Sequence, residues 1–138
     1  MKVVLDTCTL IWSIAEPENL TPLARKTLTE EDTEVYVSPI SCAELACAVN
    51  RGRVHLDQHW RSWFRYYVQL NDWCLVDIDL STIEEAYSLP EPFHRDPADR
   101  IIVASARRLA CPIVTADAKI INYPHVETVW KAIDRPPS

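Results

Sequence analysis

Asp6, Glu44, Asp99 and Asp117 lie far apart in the chain, yet each falls at or just after a point where an apolar run gives way to a helical pattern. Ligands of open parallel α/β sheets sit in the crevice beyond the carboxyl ends of the strands, so acids placed this way converge on one pocket. Two like charges about 4 Å apart repel by about 4 kcal/mol at an effective dielectric near 20. Carboxylates crowded together raise one another's pKa values and loosen the fold around them. A divalent cation relieves that repulsion. Carboxylate oxygens and water are the ligands of Mg²⁺ and Mn²⁺, and paired ions roughly 3.5 to 4 Å apart activate a water and stabilise the leaving oxygen of a phosphodiester. Hydrolysis of a nucleic-acid backbone is therefore the leading expectation, and no Ser or Cys stands in a nucleophile turn that would favour acyl chemistry instead.

Each acid also has a structural explanation when taken singly. Asp6 directly follows Val3-Val4-Leu5, where a carboxylate must either cap the next helix or serve a site. Glu44 lies in or near the first turn of a helix, where the macrodipole favours an anion. Asp96 and Asp99 frame Pro97 as a capping box; Asp96 is assigned to the cap, and Asp99 is held over the strand exits by the apolar run Ile101 to Ala104. Asp117 could cap the short segment Ala118 to Ile121. What needs a cause is their coincidence on one rim.

The apolar pattern gives the elements that must position them. Strands are predicted at Val3–Leu5, Val35–Val37, Leu75–Ile78, Pro112–Thr115 and Val126–Trp130. Between them, helices are predicted after Asp6-Thr7 as far as Pro17, from Leu23 to Glu30 after the Thr21-Pro22 cap, and from Ser41 to Asn50 with Gly52 as the stop. Further helices follow Asp57 to Leu70, the capping-box spacing of Ser81 to Glu84, and Asp96-Pro97 to Leu109. Strands alternating with helices mean parallel βαβ units with helices on both faces of the sheet. The expectation is one domain over residues 1–134 with a disordered tail from Arg135 to Ser138.

Composition removes several function classes. The chain has one glycine, Gly52, whereas a P-loop and a Rossmann fingerprint each need several where phosphate meets backbone. The five cysteines form no CxxC pair and read as small reduced hydrophobes rather than a zinc site or disulfide frame. Met1 to Asp6 runs straight into a strand, and no apolar stretch approaches the roughly 20 residues that span a bilayer, so a cytoplasmic protein without a membrane segment is expected.

The formal charge of -6 opposes phosphate binding, so local patches must carry any contact with nucleic acid. One patch is Arg51, Arg53, His55, Arg61 and Arg65, interleaved with Trp60, Trp63, Phe64, Tyr66 and Tyr67. However, Trp60, Trp63, Phe64 and Tyr67 recur at i, i+3, i+4 and i+7, which reads first as a buried helix face or a dimer or partner surface, with RNA contact the lesser reading. Arg100, beside Asp99, is expected to contact substrate or a carboxylate. His94 is a weaker candidate, while His59 and His125 read as surface residues.

The stretches VVLDTCTLIW, SPISCAELA, FHRDPADRIIVASA and IVTAD, in that order and spacing, resemble a PIN-domain endoribonuclease, most closely the toxin of a bacterial VapBC toxin-antitoxin pair. The resemblance spans nearly the whole chain. It implies a three-layer α/β/α sandwich around a parallel sheet of four to five strands, dependence on Mg²⁺ or Mn²⁺, an RNA substrate, a homodimer and a cognate antitoxin that blocks the site. It also implies that Asp6, Glu44 and Asp99 bind the metal, that Asp117 is a fourth and more variable acid, and that Thr7 and Thr115 support them. A haloacid-dehalogenase-type phosphatase would need a second aspartate where Cys8 stands, and a receiver-like domain would need a second acid at the first strand's exit. A non-catalytic partner-binding module of the same fold, with the carboxylates as caps, is the remaining alternative.

Overall fold

Alternation in the first strand sets the architecture. Val3 and Leu5 of β1 (Lys2–Leu5) face one way and Val4 the other, and all three are fully buried, which requires packed layers on both faces. The computed structural model, which describes residues 1–131, surrounds this strand with β2 (Glu34–Val37), β3 (Cys74–Leu75), β4 (Ile113–Val114) and β5 (Thr128–Val129). All pairings are parallel, in the order β3-β2-β1-β4-β5, with Val3 opposite Val35 and Leu5 opposite Val114. The chain builds outward from β1 to β3, then returns to the other side of β1 for β4. That reversal opens a crevice between β1 and β4 at their carboxyl ends.

Among the described residues, seven α-helices fill the two outer layers: α1 (Thr7–Ala15), α2 (Pro22–Thr29), α3 (Pro39–Asn50), α4 (Trp60–Leu70), α5 (Leu80–Ala86), α6 (Pro97–Leu109) and α7 (Ala118–Ile121). On one face, Leu10 of α1, Ala24 of α2 and Trp63 and Phe64 of α4 pack against Val3, Leu5, Val35 and Val37. On the other, Ile102, Val103 and Ala106 of α6 and Ile120 of α7 cover Val4 and Ile113. Burying each such Val, Ile or Leu side chain contributes roughly 1.5 to 3 kcal/mol. Helix α5 packs on α6 through Ala86, Ile101 and Ala104 rather than on the sheet. The α/β/α sandwich is as expected, with five strands.

Several local expectations shift at element boundaries. His59, not Asp57, caps α4, its ring Nδ1 accepting the Arg61 N–H at 3.1 Å, so the helix begins at Trp60. Asp79, not Ser81, caps α5 by accepting the Thr82 N–H, and β3 is two residues long instead of reaching Ile78. The aromatic stripe is a buried helix face, the first of its expected readings, at Trp63 and Phe64, which are 3% and 6% exposed and pack against the sheet, with Trp60 and Tyr67 half-buried beside them. Cys8, Cys47 and Cys74 are exposed, while Cys42 and Cys111 are half-buried; all five are free thiols. The predicted tail from Arg135 to Ser138 lies outside the described residues, and among those residues no helix is long and apolar enough to cross a membrane.

Three helices end in one motif. After α3, α4 and α6 a single residue adopts positive φ: Gly52 (+71°), Asp72 (+55°) and Ala110 (+52°). In each case the next N–H reaches back five residues, as from Arg53 to Ala48, Trp73 to Val68 and Cys111 to Ala106, satisfying carbonyls that the helix end leaves free. Glycine takes that conformation without steric cost, whereas alanine pays roughly 1 to 2 kcal/mol less its smaller loss of chain entropy. Ala110→Gly should therefore stabilise the protein by about 0.5 to 1 kcal/mol. Thermal melts check this, and an unchanged or lower midpoint would contradict the left-handed geometry at Ala110.

Candidate active site

Four separate segments deliver the acids to the strand exits. Asp6 leaves β1 and caps α1, Asp117 leaves β4 and caps α7, Glu44 projects from α3 behind β2, and Asp99 stands in the first turn of α6. All four line one cleft of about 860 Å³, together with Thr7, Asp96 and His94. Capping and site geometry prove compatible for Asp6: Oδ1 accepts the Thr9 N–H at 2.9 Å, while Oδ2 accepts the Thr115 hydroxyl. Glu44 is the sixth residue of α3, beyond the first turn where the macrodipole acts, so a dipole contact does not account for it.

Hydroxyl groups hold the carboxylates in place. Thr7 Oγ1 donates to Glu44 Oε1 and lies 2.9 Å from Ser41 Oγ. Thr115 Oγ1 accepts the Asp117 N–H at 3.0 Å while donating to Asp6, so one side chain ties the exits of β1 and β4 together. Thr9 was not singled out in the sequence, yet it is fully buried with its hydroxyl 2.7 Å from Asp6 Oδ1 and 2.8 Å from the Val114 carbonyl. Ser41 was likewise missed. The signal for Thr9 was its position three residues after Asp6, where a capping aspartate meets the chain again.

Around Asp99 the expectations divide. Asp96 caps α6 as assigned, accepting the Asp99 N–H at 3.2 Å. His94 Nε2 comes within 3.0 Å of Asp99 Oδ2, a close contact not aligned as a hydrogen bond. Arg100 does not line the cleft: of its two expected contacts, substrate or carboxylate, it makes the second, with Glu91. It is 7% exposed and donates to the carbonyls of Ala86, Phe93 and His94 and to Glu91 Oε1, all at 3.0 to 3.1 Å. Neighbours at i and i+1 point to different sides of a helix, so Arg100 fastens the segment leading into α6 while Asp99 faces the acids. Arg100→Ala should cost about 3 kcal/mol or more, since each buried carbonyl left without a donor costs about 1 to 3 kcal/mol. Chemical denaturation should show Glu91→Gln costing much less than Arg100→Ala, because Glu91 is exposed and its pair is screened by water; equal losses would place the anchor in the ion pair instead of the carbonyls.

The electrostatics follow from crowding. Burial, then Asp96, Asp117, Glu44 and Asp6, push the Asp99 carboxyl up to about 7 from 3.8. Burial also raises Asp6 and Glu44 above the ordinary carboxylate range, partly offset by their threonine hydrogen bonds. Among the described residues no three acidic, His or Cys side chains already form a closed ligand set. Hydroxyls hold the oxygens of Asp6 and Glu44 at the rim, while Asp117 accepts the Lys119 N–H. Cys8, Cys47 and His94 also line the cleft, but burial and the neighbouring acids push the Cys8 thiol up to about 11, and the groups gathered at the strand exits are carboxylates and hydroxyls, hard oxygens that fit Mg²⁺ or Mn²⁺ better than a thiophilic metal.

A pH dependence with a definite sign follows. Folded Asp99 keeps its proton up to about 7, whereas the unfolded chain releases it near 3.8, so protonated Asp99 favours folding at low pH. That contribution is lost as pH rises through the folded pKa. Without divalent ions, the melting temperature of Asp99→Asn should gain on the wild type steadily between about pH 4 and pH 7 and level off above. A difference independent of pH would contradict the crowding.

The PIN domain family matches residues 3–126. Ribonuclease VapC22 of Mycobacterium tuberculosis is 34% identical over 130 residues, covering 93% of this chain and 98% of that protein. Among solved structures, VapBC2 from Rickettsia felis, bound to a DNA fragment from its promoter, superposes with a TM-score of 0.62 at 17% identity, covering 93% of this chain and 97% of the other. A toxin-antitoxin complex from Klebsiella pneumoniae gives 0.60 at 19% identity, covering 90% and 94%. At those identities the structural likeness concerns the fold alone; the family match and the ribonuclease relative extend along most of the sequence, and the chain belongs to the PIN-domain family.

Proposed function

We propose that this chain is a metal-dependent endoribonuclease acting as the toxin of a toxin-antitoxin pair. The observation that carries the reading is the convergence of Asp6, Glu44, Asp99 and Asp117 on one cleft, with Asp99 driven up to about 7 by burial and by its neighbours. Asp6, Glu44 and Asp99, assisted by Asp117, would hold one or two Mg²⁺ or Mn²⁺ ions. When bound, such ions supply a water acidic enough to attack a phosphodiester and a counter-charge for the leaving oxygen. The chain's own part is placement. Thr115 and Thr9 fix both oxygens of Asp6, Thr7 fixes Glu44, and His94 stands against Asp99, so the acids meet the substrate already oriented.

Partners follow the same reading. The similar structures are complexes of toxins with antitoxins, which supports a cognate antitoxin here. Leu70, Leu75 and Leu80, on the consecutive elements α4, β3 and α5, are 62%, 55% and 74% exposed, and β3 is a sheet edge. An apolar face of this kind supports a homodimer or an antitoxin contact. The setting is cytoplasmic, where RNA is found.

The test is cleavage of single-stranded RNA by the purified chain with Mn²⁺. Asp99→Asn should slow cleavage by at least about 100-fold, because even outer-shell partners of a metal site cost 10- to 100-fold. Chelation should stop the wild type. Wild-type cleavage by Asp99→Asn, or activity undiminished by chelator, would refute the assignment.

A further inference from the structure

The acidic cleft has walls of a different character. On α3, Glu44, Cys47, Ala48 and Arg51 recur at i, i+3, i+4 and i+7 and all line the cleft, so one helix face runs from the carboxylates to a cation about 10 Å along the axis. The turn after α3 then adds a second cation. Gly52, at φ +71°, closes the helix, and the Arg53 N–H returns to the Ala48 carbonyl at 2.9 Å, so Arg51 and Arg53 flank a fixed turn at the cleft. Helix α3 follows β2, whereas α7, carrying Lys119 into the same cleft, follows β4 on the opposite side of β1. The cations therefore stand to both sides of Asp6.

Three further observations concern what this arrangement accepts. Arg51, Arg53 and Lys119 are exposed, and among the described residues none is ion-paired, whereas Arg100, Arg107 and Arg108 are each engaged by a carboxylate. In a chain of net charge -6, cations left unpaired beside an acidic pocket are the groups able to draw a polyanion into it. Trp12 is half-buried, its ring 6.0 Å from that of Trp130, and it lines the cleft beside Ile11 and Val54. A ring braced on one side and open on another is a platform for a base.

We propose that these walls form a grip for single-stranded RNA. Arg51 and Arg53 take backbone phosphates on one side of the carboxylates, Lys119 takes one on the other, and Trp12 stacks against a base between them. The grip gives the cleavage reading a substrate class and rests on it. A duplex would not supply an unstacked base to Trp12.

The experiment is fluorescence anisotropy of a short labelled single-stranded RNA with the full chain carrying Asp99→Asn, in Mn²⁺, over a series of salt concentrations. Adding Arg51→Gln and Arg53→Gln should weaken binding by about tenfold or more and lower the slope of log affinity against log salt by about 0.7 per cation removed. Adding Trp12→Leu, which keeps an apolar side chain in place, should weaken binding by about fivefold or more with the slope unchanged. Parental affinity and slope in the arginine variant, whose altered side chains are exposed, would overturn the grip and leave the wall to a protein partner. So would parental affinity in Trp12→Leu. The two readings fail separately: RNA left uncut by the wild-type chain in Mn²⁺, with affinity still lost in these variants, removes the nuclease and keeps the grip, while wild-type cleavage with unchanged binding in the variants does the reverse.

Discussion

The constraint on which the molecule depends is mutual repulsion among carboxylates gathered at the reversal of a parallel sheet. The fold makes the gathering unavoidable, because β1 and β4 end side by side and each hands its chain to a helix capped by an aspartate. Asp6 shows how the strain is contained. One oxygen caps α1 through Thr9, and the other accepts from Thr115 on the neighbouring strand, so a charge that burial disfavours receives hydrogen bonds in compensation. Asp99 has no comparable set of donors. The crowding therefore shows most clearly there, in a carboxyl that titrates near 7.

A scaffold of unusual economy holds this arrangement. Strands of two to four residues suffice because both faces are covered and the central strand contributes three fully buried side chains. Helix α6 links core to site: Ile101 to Ala106 are buried, and Arg100 fixes the segment that enters it, so Asp99 is carried on a rigid element. Helix α3 does the same for Glu44 through buried Ser41 and Leu45. Sites built on packed helices keep their geometry better than sites on loops.

Much of this was legible in the sequence where the physics is local. A strand that alternates, an aspartate or threonine before a helix, proline at the first helical position and glycine after the last are short-range devices, and β1, α2, α6 and α7 follow them. Asp6, Asp99 and Asp117 were legible because each sits at such a boundary, whereas Glu44 lies further inside α3. What escaped was set by tertiary context. Arg100 is adjacent to Asp99 in sequence, but the helical rotation sends it to carbonyls on another side. Ala110 occupies a left-handed position that its side chain gives no reason to expect, and His59 caps α4 in place of the more usual Asp57. Periodicity marked Trp60 to Tyr67 as an apolar face without naming its partner, which is the chain's own sheet.

The central claim is that Asp6, Glu44, Asp99 and Asp117 share one ion-binding pocket. Anomalous diffraction from crystals of this chain soaked in Mn²⁺ tests it most directly. The account predicts a peak in the cleft, bounded by oxygens of Asp6 and Asp99 with Glu44 or Asp117 completing the shell. A cleft without a peak at saturating Mn²⁺, with Asp6 and Glu44 still held only by their threonines, would contradict it.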